Sequence, residues 1–531
     1  MSGRKGPFKG RTVAVVDDLS LDEQRYLYRK TRELKEDLRG GGGGKAFRLD
    51  DRDYSVYLIF MEDSTRTKES FRNAAEFLGV RTNVFDAASS SFNKNESIED
   101  AIRMLYGYAD DSCFVIRSKL EGVCRSLENS MGRYAELVGR PRPAFLNAGD
   151  GKHEHPTQEF LDEFSFLEQL GWRDEKIHIA LTGDLYHGRT VHSKANGLRV
   201  FREVKVDLVA PEPLAMPADY VGRMKANGFE VAVYESLDEY LASGAVAPIW
   251  YFTRLQLERM GETVLERADA LRAAVTFRKD MLGALPEGTR FYHPLPRDRA
   301  NPTNPTFLDV LPLNGWDGQS ANGYWTRIVL MGMVSGLLGA DFEGEGLREE
   351  SFVDDFVREA PVVARSKPEV KVGIKPVDEG IVIDHISSGE SAEHIWDHID
   401  AVRRMLKLNL RSGHGVFHND RGTLKGIMSL PEVTSFDERD LKKLAAIAPG
   451  CTLNLVHGSR VVKKYRLDMP PRIYGFDEIS CKNELCISHP SHKEGVMPEF
   501  RRKGPPGGES GTVFVCRYCE REHRFREIWD S

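Results

Sequence analysis

No run of apolar residues in this 531-residue chain approaches the roughly 18 that a membrane-spanning helix needs. The best, Ile328 to Leu338, is short and interrupted by Gly332, Ser335 and Gly336. Net charge is also small: 74 basic residues against 81 acidic ones give −7, which excludes a bulk nucleic-acid binder built on positive charge. Cysteine is scarce and odd in number, seven in all, and no export signal is evident. Reduced thiols and a metal are therefore expected rather than disulfides. The basic Met1-Ser2-Gly3-Arg4-Lys5 start lacks the apolar stretch of a signal peptide, so a cytoplasmic protein is expected. Internal repeats are absent, and Gly40 to Gly44 is the only low-complexity run. That run before Lys45 is not a phosphate loop: Lys45 is followed by Ala46, and no strand precedes it.

What is present is an ordinary globular composition, 40% hydrophobic and 29% charged, with length for three or four domains. Ser20 and Glu23 form a capping box ahead of a helix whose face carries Leu27, Thr31, Leu34 and Leu38. Apolar segments then alternate with helical patterns. Ser55 to Met61 reads as a buried strand and Thr65 to Leu78 as a helix stopped by Gly79. Ile177 to Thr182, Val204 to Ala210, Val231 to Tyr234, Ile249 to Phe252 and Phe291 to Tyr292 read as further strands. Such alternation predicts parallel-sheet α/β domains, whose ligands sit beyond the C-terminal strand ends. A helical pattern over Tyr324 to Leu338 closes this region. An acidic stretch then leads to Ser366-Lys367-Pro368, and residues 341–370 read as a linker carrying at most one short helix. A smaller α+β pattern follows over 371–472, with a hairpin turning at Gly458-Ser459, and the paired cysteines occupy 473–531.

Five segments carry chemistry, each at an expected strand end. Ser64-Thr65-Arg66-Thr67 places hydroxyls and a guanidinium at a helix N-terminus, an anion site. His155-Pro156-Thr157-Gln158 follows the glycine-rich Asn147 to Gly151, which reads as a loop. Gly183-Asp184-Leu185 with Gly188-Arg189-Thr190, then Phe252-Thr253-Arg254-Leu255-Gln256, and finally His293-Pro294-Leu295-Pro296-Arg297 complete the set. Taken alone, each is a weak signal.

In this order, the motifs resemble the catalytic chains of aspartate carbamoyltransferases over about residues 10–340. The last third, with Ile383-Asp384-His385-Ile386 and the cysteine pairs, resembles the regulatory chain of the same enzyme, so the protein resembles a fusion of both. The resemblance implies a carbamoyl phosphate-binding domain (1–165), an aspartate-binding domain (166–340), the linker, a nucleotide-binding-like domain (371–472) and a zinc domain (473–531). Carbamoyl phosphate and L-aspartate are the implied substrates, with no metal in catalysis. Ser64, Thr65, Arg66 and Thr67 would cradle the phosphate; Thr67, Arg117 and His155 would polarise the carbonyl oxygen. Gln158 and the backbone carbonyls near Leu295 and Pro296 would hold the carbamoyl nitrogen, while Arg189, Arg254 and Gln256 would bind aspartate. Lys94 would enter a neighbouring subunit's site from a mobile loop, so the resemblance implies trimers, paired through the appended domains.

Some positions depart from the family. Tyr186-His187 replaces a Lys-Tyr pair, which bears on domain closure but removes no ligand. Ser130-Met131-Gly132 looks like the ornithine motif of the sister enzymes but lies before His155, in the wrong half; an ornithine-type acceptor is the rival reading. Cys481 and Cys486 are separated by four residues and Cys516 and Cys519 by two, which suits one closed tetrahedral structural zinc. In the family that domain grips the catalytic chain. For effectors, Asp384, His385, Asn454, Val461 and Lys464 match nucleotide-contact positions. Against them, Lys375 stands where Glu is usual, Ser459 where an aromatic is common, and only Lys425 remains of a lysine-rich stretch, which weakens triphosphate binding. A partner protein without catalysis and a zinc-dependent nucleic-acid binder are the readings of other classes; the intact motifs and the overall acidity disfavour them.

Overall fold

The computed structural model describes residues 6–86, 96–256, 267–348, 356–362, 377–408, 413–419, 422–431, 433–504 and 512–529. Lys94 and Lys375 lie outside these residues. The chain divides into two compact units, 1–348 and 349–531.

The first unit holds two parallel sheets. Strands β1 (Tyr54–Phe60), β2 (Arg81–Asp86), β3 (Asp111–Ser118) and β4 (Ala144–Asp150) form one, in the order β2-β1-β3-β4. Strands β5 (Lys176–Thr182), β6 (Glu203–Val209), β7 (Glu230–Tyr234), β8 (Ile249–Phe252) and β9 (Arg290–Tyr292) form the other, ordered β7-β6-β5-β8-β9. Every residue of β1 and of β8 is buried. Helices cover both faces of a parallel sheet, so its central strands read as unbroken apolar runs rather than alternating ones. In both sheets the order reverses beside the first strand, at β1/β3 and at β5/β8, and the loops leaving those strands open a crevice.

Helices α1 (Leu21–Arg39), α2 (Thr65–Leu78), α3 (Ile98–Tyr106), α4 (Val123–Val138) and α5 (Pro156–Gln169) belong to the first half. Helix α1 has the expected capping box: Glu23 N–H donates to Ser20 Oγ and Ser20 N–H to Glu23 Oε2. The expected cut at 165/166 falls inside α5. The last helix of the unit, Trp316–Val334, returns to pack on α1, α2 and α5. It is buried on nearly all sides, and it begins eight residues before the helical pattern expected from Tyr324. Asn147 to Asp150, expected as loop, is the buried end of β4. Among the described residues no helix is long and apolar enough to cross a membrane.

The second unit carries two antiparallel sheets. Six strands order as β10-β15-β14-β11-β13-β12: β10 (Val357–Glu359), β11 (Gly380–Ile386), β12 (Gly413–His418), β13 (Leu424–Pro431), β14 (Thr452–His457) and β15 (Arg460–Leu467). Helices Ala392–Met405 and Glu438–Ile447 help to build its core. Part of the stretch expected as linker is therefore structured, because Val357–Glu359 supplies backbone partners to the exposed side of β15. Strands β16 (Arg472–Tyr474), β17 (Glu499–Lys503), β18 (Val513–Cys516) and β19 (Glu522–Arg524) form the last sheet.

Candidate active site

All twelve described residues expected at the catalytic site line one cleft of about 690 Å³ in the first unit. Segments following β1, β4, β5, β8 and β9, with Arg117 near the end of β3, supply them. The strand-end expectation thus places side chains from both sheets against one space.

Ser64 is the N-cap of α2, yet its side chain makes no capping bond. Its hydroxyl and the first N–H groups of the helix are left to face an anion, in the field of the helix dipole. Arg66 is exposed at this end, and partial burial lowers its pKa, a sign of a guanidinium set over a cleft rather than in open water. Thr67 is buried one residue on. Arg117 Nη1 donates to Ala148 O at 3.0 Å. His155 is buried, and burial pushes its imidazole well below the ordinary range, helped by the positive charges of Arg117, Arg189 and Arg327. It is therefore neutral near pH 7. Its Nδ1 lies 3.4 Å from Thr157 Oγ1, a hydroxyl that can donate to it and leave the proton on Nε2. Gly149, at φ +110°, lets these groups converge: a Cβ there would stand 3.0 Å from Arg117 Nη1, 3.2 Å from Arg189 Cζ and 3.3 Å from His155 Cδ2.

On the opposite side, Arg189 Nη1 donates to Gly151 O at 2.8 Å. The buried Asp184 carboxylate accepts from Gln256 N–H at 3.1 Å and from His187 N–H at 3.0 Å, and Gln256 Nε2 donates to His187 O at 3.2 Å. Asp184 thereby fixes the segment that carries Arg254 and Gln256. His293 Nδ1 accepts from Leu295 N–H at 2.8 Å, which shapes the backbone at Leu295 and Pro296. Burial, then Arg297, Arg66 and Arg254, pushes His293 down to about 3.

Four residues were not singled out in the sequence: Glu62, Gln319 and Arg327 line the cleft, and Asp162 is buried beside Gln158. Glu62 accepts from Arg117 at 3.1 Å and from Arg189 at 3.2 Å through one oxygen, Oε2, so a single carboxylate spaces a guanidinium on β3 and one on the short helix after β5. Its position two residues before Ser64 was the only available clue. Asp162, one turn beyond Gln158, accepts from Gln158 Nε2 at 2.8 Å and from Gln319 Nε2 at 2.6 Å. Arg327 is buried beside the ring of Phe71, 4.8 Å from its centroid; burial lowers its pKa and Asp162 opposes that shift. With Arg66, Arg117, Arg189 and Arg254, this makes a cleft suited to a substrate bearing several negative charges.

The second unit treats its expected residues differently. The cysteines come together: all four Sγ atoms lie within 4.8 Å of one another, with Cys481 to Cys519 at 3.6 Å and Cys486 to Cys516 at 3.8 Å. A tetrahedral cation bound by thiolates at about 2.3 Å spaces its sulfurs by about 3.8 Å, so the donor set fits one closed metal site. His523, buried, adds Nε2 at 3.5 Å from Cys481 Sγ. The effector residues do not form so tight a set. Asn454 stands between Val382 and Lys464 in the strand register, and its side chain donates to Val382 O at 3.2 Å. Asp384 is held by Lys425 at 2.8 Å, and Val461 is exposed near the hairpin turn. His385 sits at φ +62°, beside the bulge where β11 slips against β13.

Comparison with known proteins gives consistent matches. Residues 11–168 match the carbamoyl-P binding domain of aspartate/ornithine carbamoyltransferases. Residues 372–468 match the allosteric domain, and 471–529 the metal binding domain, of the aspartate carbamoyltransferase regulatory chain. The protein PyrBI of Thermotoga maritima is 53% identical over 99% of both chains, and PyrBI of Treponema denticola is 49% identical over 98% of both. Among solved structures, aspartate transcarbamoylase from Trypanosoma cruzi, in complex with N-(phosphonacetyl)-L-aspartic acid, is 28% identical. It matches at a TM-score of 0.52 and covers 62% of this chain and 97% of its own.

Proposed function

The chain belongs to the aspartate carbamoyltransferase family, as a fusion of catalytic and regulatory chains, and from that premise we propose how its residues divide the work. The reaction transfers the carbamoyl group of carbamoyl phosphate to the amino group of L-aspartate, giving N-carbamoyl-L-aspartate and phosphate, a step of pyrimidine biosynthesis. The convergence of Arg66, Arg117, Arg189 and Arg254 with a neutral His155 on one cleft carries the assignment of roles.

On this reading Ser64, Thr65, Arg66 and Thr67 bind the phosphate at the start of α2. Thr67, Arg117 and the His155 N–H donate to the carbonyl oxygen, where negative charge grows as the amine attacks. Gln158 and the carbonyls of Leu295 and Pro296 accept from the carbamoyl NH2. Arg189 and Arg254, with Gln256, hold the two carboxylates of aspartate so that its amine faces the carbonyl carbon. The new C–N bond forms, the C–O bond to phosphate breaks, and the departing phosphate takes the amine proton while Arg66 neutralises its charge. His155 moves no proton: a neutral imidazole here is a hydrogen-bond donor.

Lys94 completes the site from a neighbouring subunit, so the active assembly is a trimer, paired through the second unit. Zinc is the structural metal of Cys481, Cys486, Cys516 and Cys519, and the site's closed thiolate set gives it no catalytic position. Nucleotides act, where they act, at Asp384, His385, Asn454, Val461 and Lys464. The protein works in the cytoplasm, free of nucleic acid and of membrane.

The test is carbamoyl aspartate formation across aspartate concentrations, with ornithine as the control acceptor, with and without ATP, CTP and UTP. Turnover with aspartate alone, blocked by N-(phosphonacetyl)-L-aspartic acid, is expected. Turnover with ornithine, or failure of Arg254→Ala to raise the KM for aspartate, would overturn the assignment.

A further inference from the structure

Helix α5 has His155 as its N-cap and Gln158 in its first turn, and it buries three acidic residues, Glu159, Asp162 and Glu163. Buried carboxylates need partners. The partner is Lys194, itself fully buried, whose Nζ lies 2.9 Å from Glu159 Oε2 and 3.0 Å from Asp162 Oδ2, 4.3 Å from the ring centroid of Tyr251. Lys194 sits five residues after Arg189, on the turn Lys194–Gly197. The approach of that turn to α5 is close: a Cβ on Gly197 would stand 2.2 Å from Glu159 Oε1. Glu163, shut from water and crowded by Glu159, is driven up towards its neutral form. Lys194 is then left between Glu159 and Asp162, with Arg327 adding charge near Asp162.

Asp162 connects this cluster to the cleft. Its Oδ2 takes Lys194, while its Oδ1 takes the NH2 groups of both Gln158 and Gln319. A carboxylate only accepts, so each amide must turn its NH2 towards it and its oxygen away. Gln319 shows the consequence, because its Oε1 accepts from His293 N–H at 2.9 Å. Gln158 has the same choice made for it, which leaves its oxygen for the cleft.

We propose that Asp162 and Lys194 are positioning residues for the transfer: they hold the Gln158 amide with its oxygen towards the NH2 of the carbamoyl group. The assignment rests on the reading that Gln158 meets that group. Lys194 contributes by keeping one end of the Asp162 carboxylate occupied, so the other end is reserved for the glutamines. An asparagine at 162 keeps the shape but gives its oxygen to Lys194 and its NH2 to Gln158. Gln158 must then flip and present NH2 to NH2.

The experiment measures KM and kcat for both substrates, together with thermal midpoint, in the full-length oligomer carrying Asp162→Asn, Lys194→Met or Gln158→Ala. Asp162→Asn is expected to raise the KM for carbamoyl phosphate about tenfold or more, the size of one misplaced hydrogen bond, with the KM for aspartate within about twofold. Lys194→Met is expected to shift the same constant in the same direction. An Asp162→Asn enzyme that is folded with ordinary constants, while Gln158→Ala is impaired, overturns the proposal and leaves the role of Gln158 standing. An Asp162→Asn chain that does not fold also overturns it, since Asp162 would then serve the fold and not the substrate. An unimpaired Gln158→Ala enzyme overturns the underlying reading instead.

Discussion

The catalytic cleft and the effector face of the second unit both gather charged residues at strand positions, but they hold them in opposite ways. In the cleft the groups leave the ends of parallel strands, and four are fixed by a carboxylate that is not itself a proposed ligand: half-buried Glu62 for Arg117 and Arg189, buried Asp184 for Gln256, buried Asp162 for Gln158. On the effector face the groups lie along antiparallel strands, and one expected ligand, Asp384, is already paired with Lys425. The first arrangement gathers its donors on one cleft and uses carboxylates to set their places, Glu62 by ion pairs with Arg117 and Arg189. The second satisfies its own charges, so a guest must compete with an existing ion pair. Preorganisation is therefore strong in one region and weak in the other, and perturbing the two should give effects of different size.

The largest effect is expected at Arg66, which stands at the open end of α2. Arg66→Ala should lower kcat by about 10²–10³, as loss of a charged stabiliser does, while the melting midpoint of the first unit hardly moves. Steady-state kinetics and thermal melting check both halves. A modest loss in kcat would mean that the cleft is less preorganised than its geometry implies.

Next comes the metal. Cys516→Ser removes one thiolate from a closed set whose binding energy is folding energy, typically about 10 kcal/mol or more. The variant should lose its metal, residues 473–529 should become open to proteolysis and, on the assembly proposed above, paired trimers should separate into single ones. Turnover should persist, because the first unit has its own cores. Metal content, limited proteolysis and sedimentation measure this. Loss of turnover by isolated, folded trimers would break the division between the two units.

These two regions were not equally legible in sequence. Parallel strands announce themselves as apolar runs, and the segments after them carry distinctive residues, so β1, β5, β8 and β9 and the segments holding eleven of the twelve cleft residues were readable in advance, whereas Arg117 and the roles followed from the family resemblance alone. Residues 144–150 misled, because Asn147 to Asp150 has a loop's composition; it is held as strand by buried bonds such as Asn147 Nδ2 to Ala14 O at 2.8 Å. Glu62, Asp162, Gln319 and Arg327 were invisible because supporting residues act through neighbours far away in the chain. Asp162 meets Gln319 across 157 positions, and no local pattern encodes that. In the second unit the cysteine spacing survived into geometry, whereas the effector set depended on register. One bulge in β11 decides where Asp384 and His385 sit, and composition does not reveal it.

A third, smaller effect follows from the two buried histidines. Both His155 and His293 have folded pKa values below the ordinary 6.5, His293 at about 3, with burial as the leading cause. Above pH 6.5 the folded and unfolded states are both neutral, and these residues make no pH-dependent contribution. As pH falls below 6.5 the unfolded chain takes up protons that the folded cleft refuses, so stability drops by up to about 1.4 kcal/mol per pH unit for each residue. The first unit should therefore weaken between pH 6.5 and 4, and neither imidazole should titrate by NMR between pH 8 and 5.5. A resonance of His155 that titrates near 6.5 would assign it a proton-transfer role instead. In the second unit Asp384 contributes acid sensitivity at a lower pH.

The smallest effect is expected where the guest must displace an ion pair. Burial raises the Asp384 pKa, but hydrogen bonds and charge from His385 and Lys425 outweigh it and bring the group down to about 2. A carboxylate with a depressed folded pKa stabilises the native state above its unfolded value of about 3.9, and that contribution is lost as pH falls towards 2. Lys425→Gln should therefore cost the second unit about 1 kcal/mol at pH 6 and make its acid unfolding less steep below pH 4, read from urea melts at the two pH values. If Lys425 chiefly neutralises Asp384, any shift that ATP, CTP or UTP exerts on the aspartate KM should change by no more than about fivefold in the variant, since about 1 kcal/mol is at stake. Complete loss of a nucleotide effect would make Lys425 a phosphate ligand that leaves Asp384 on binding. The effector face would then be a site that exchanges one partner for another, and its weakness relative to the cleft would be a property of the empty state alone.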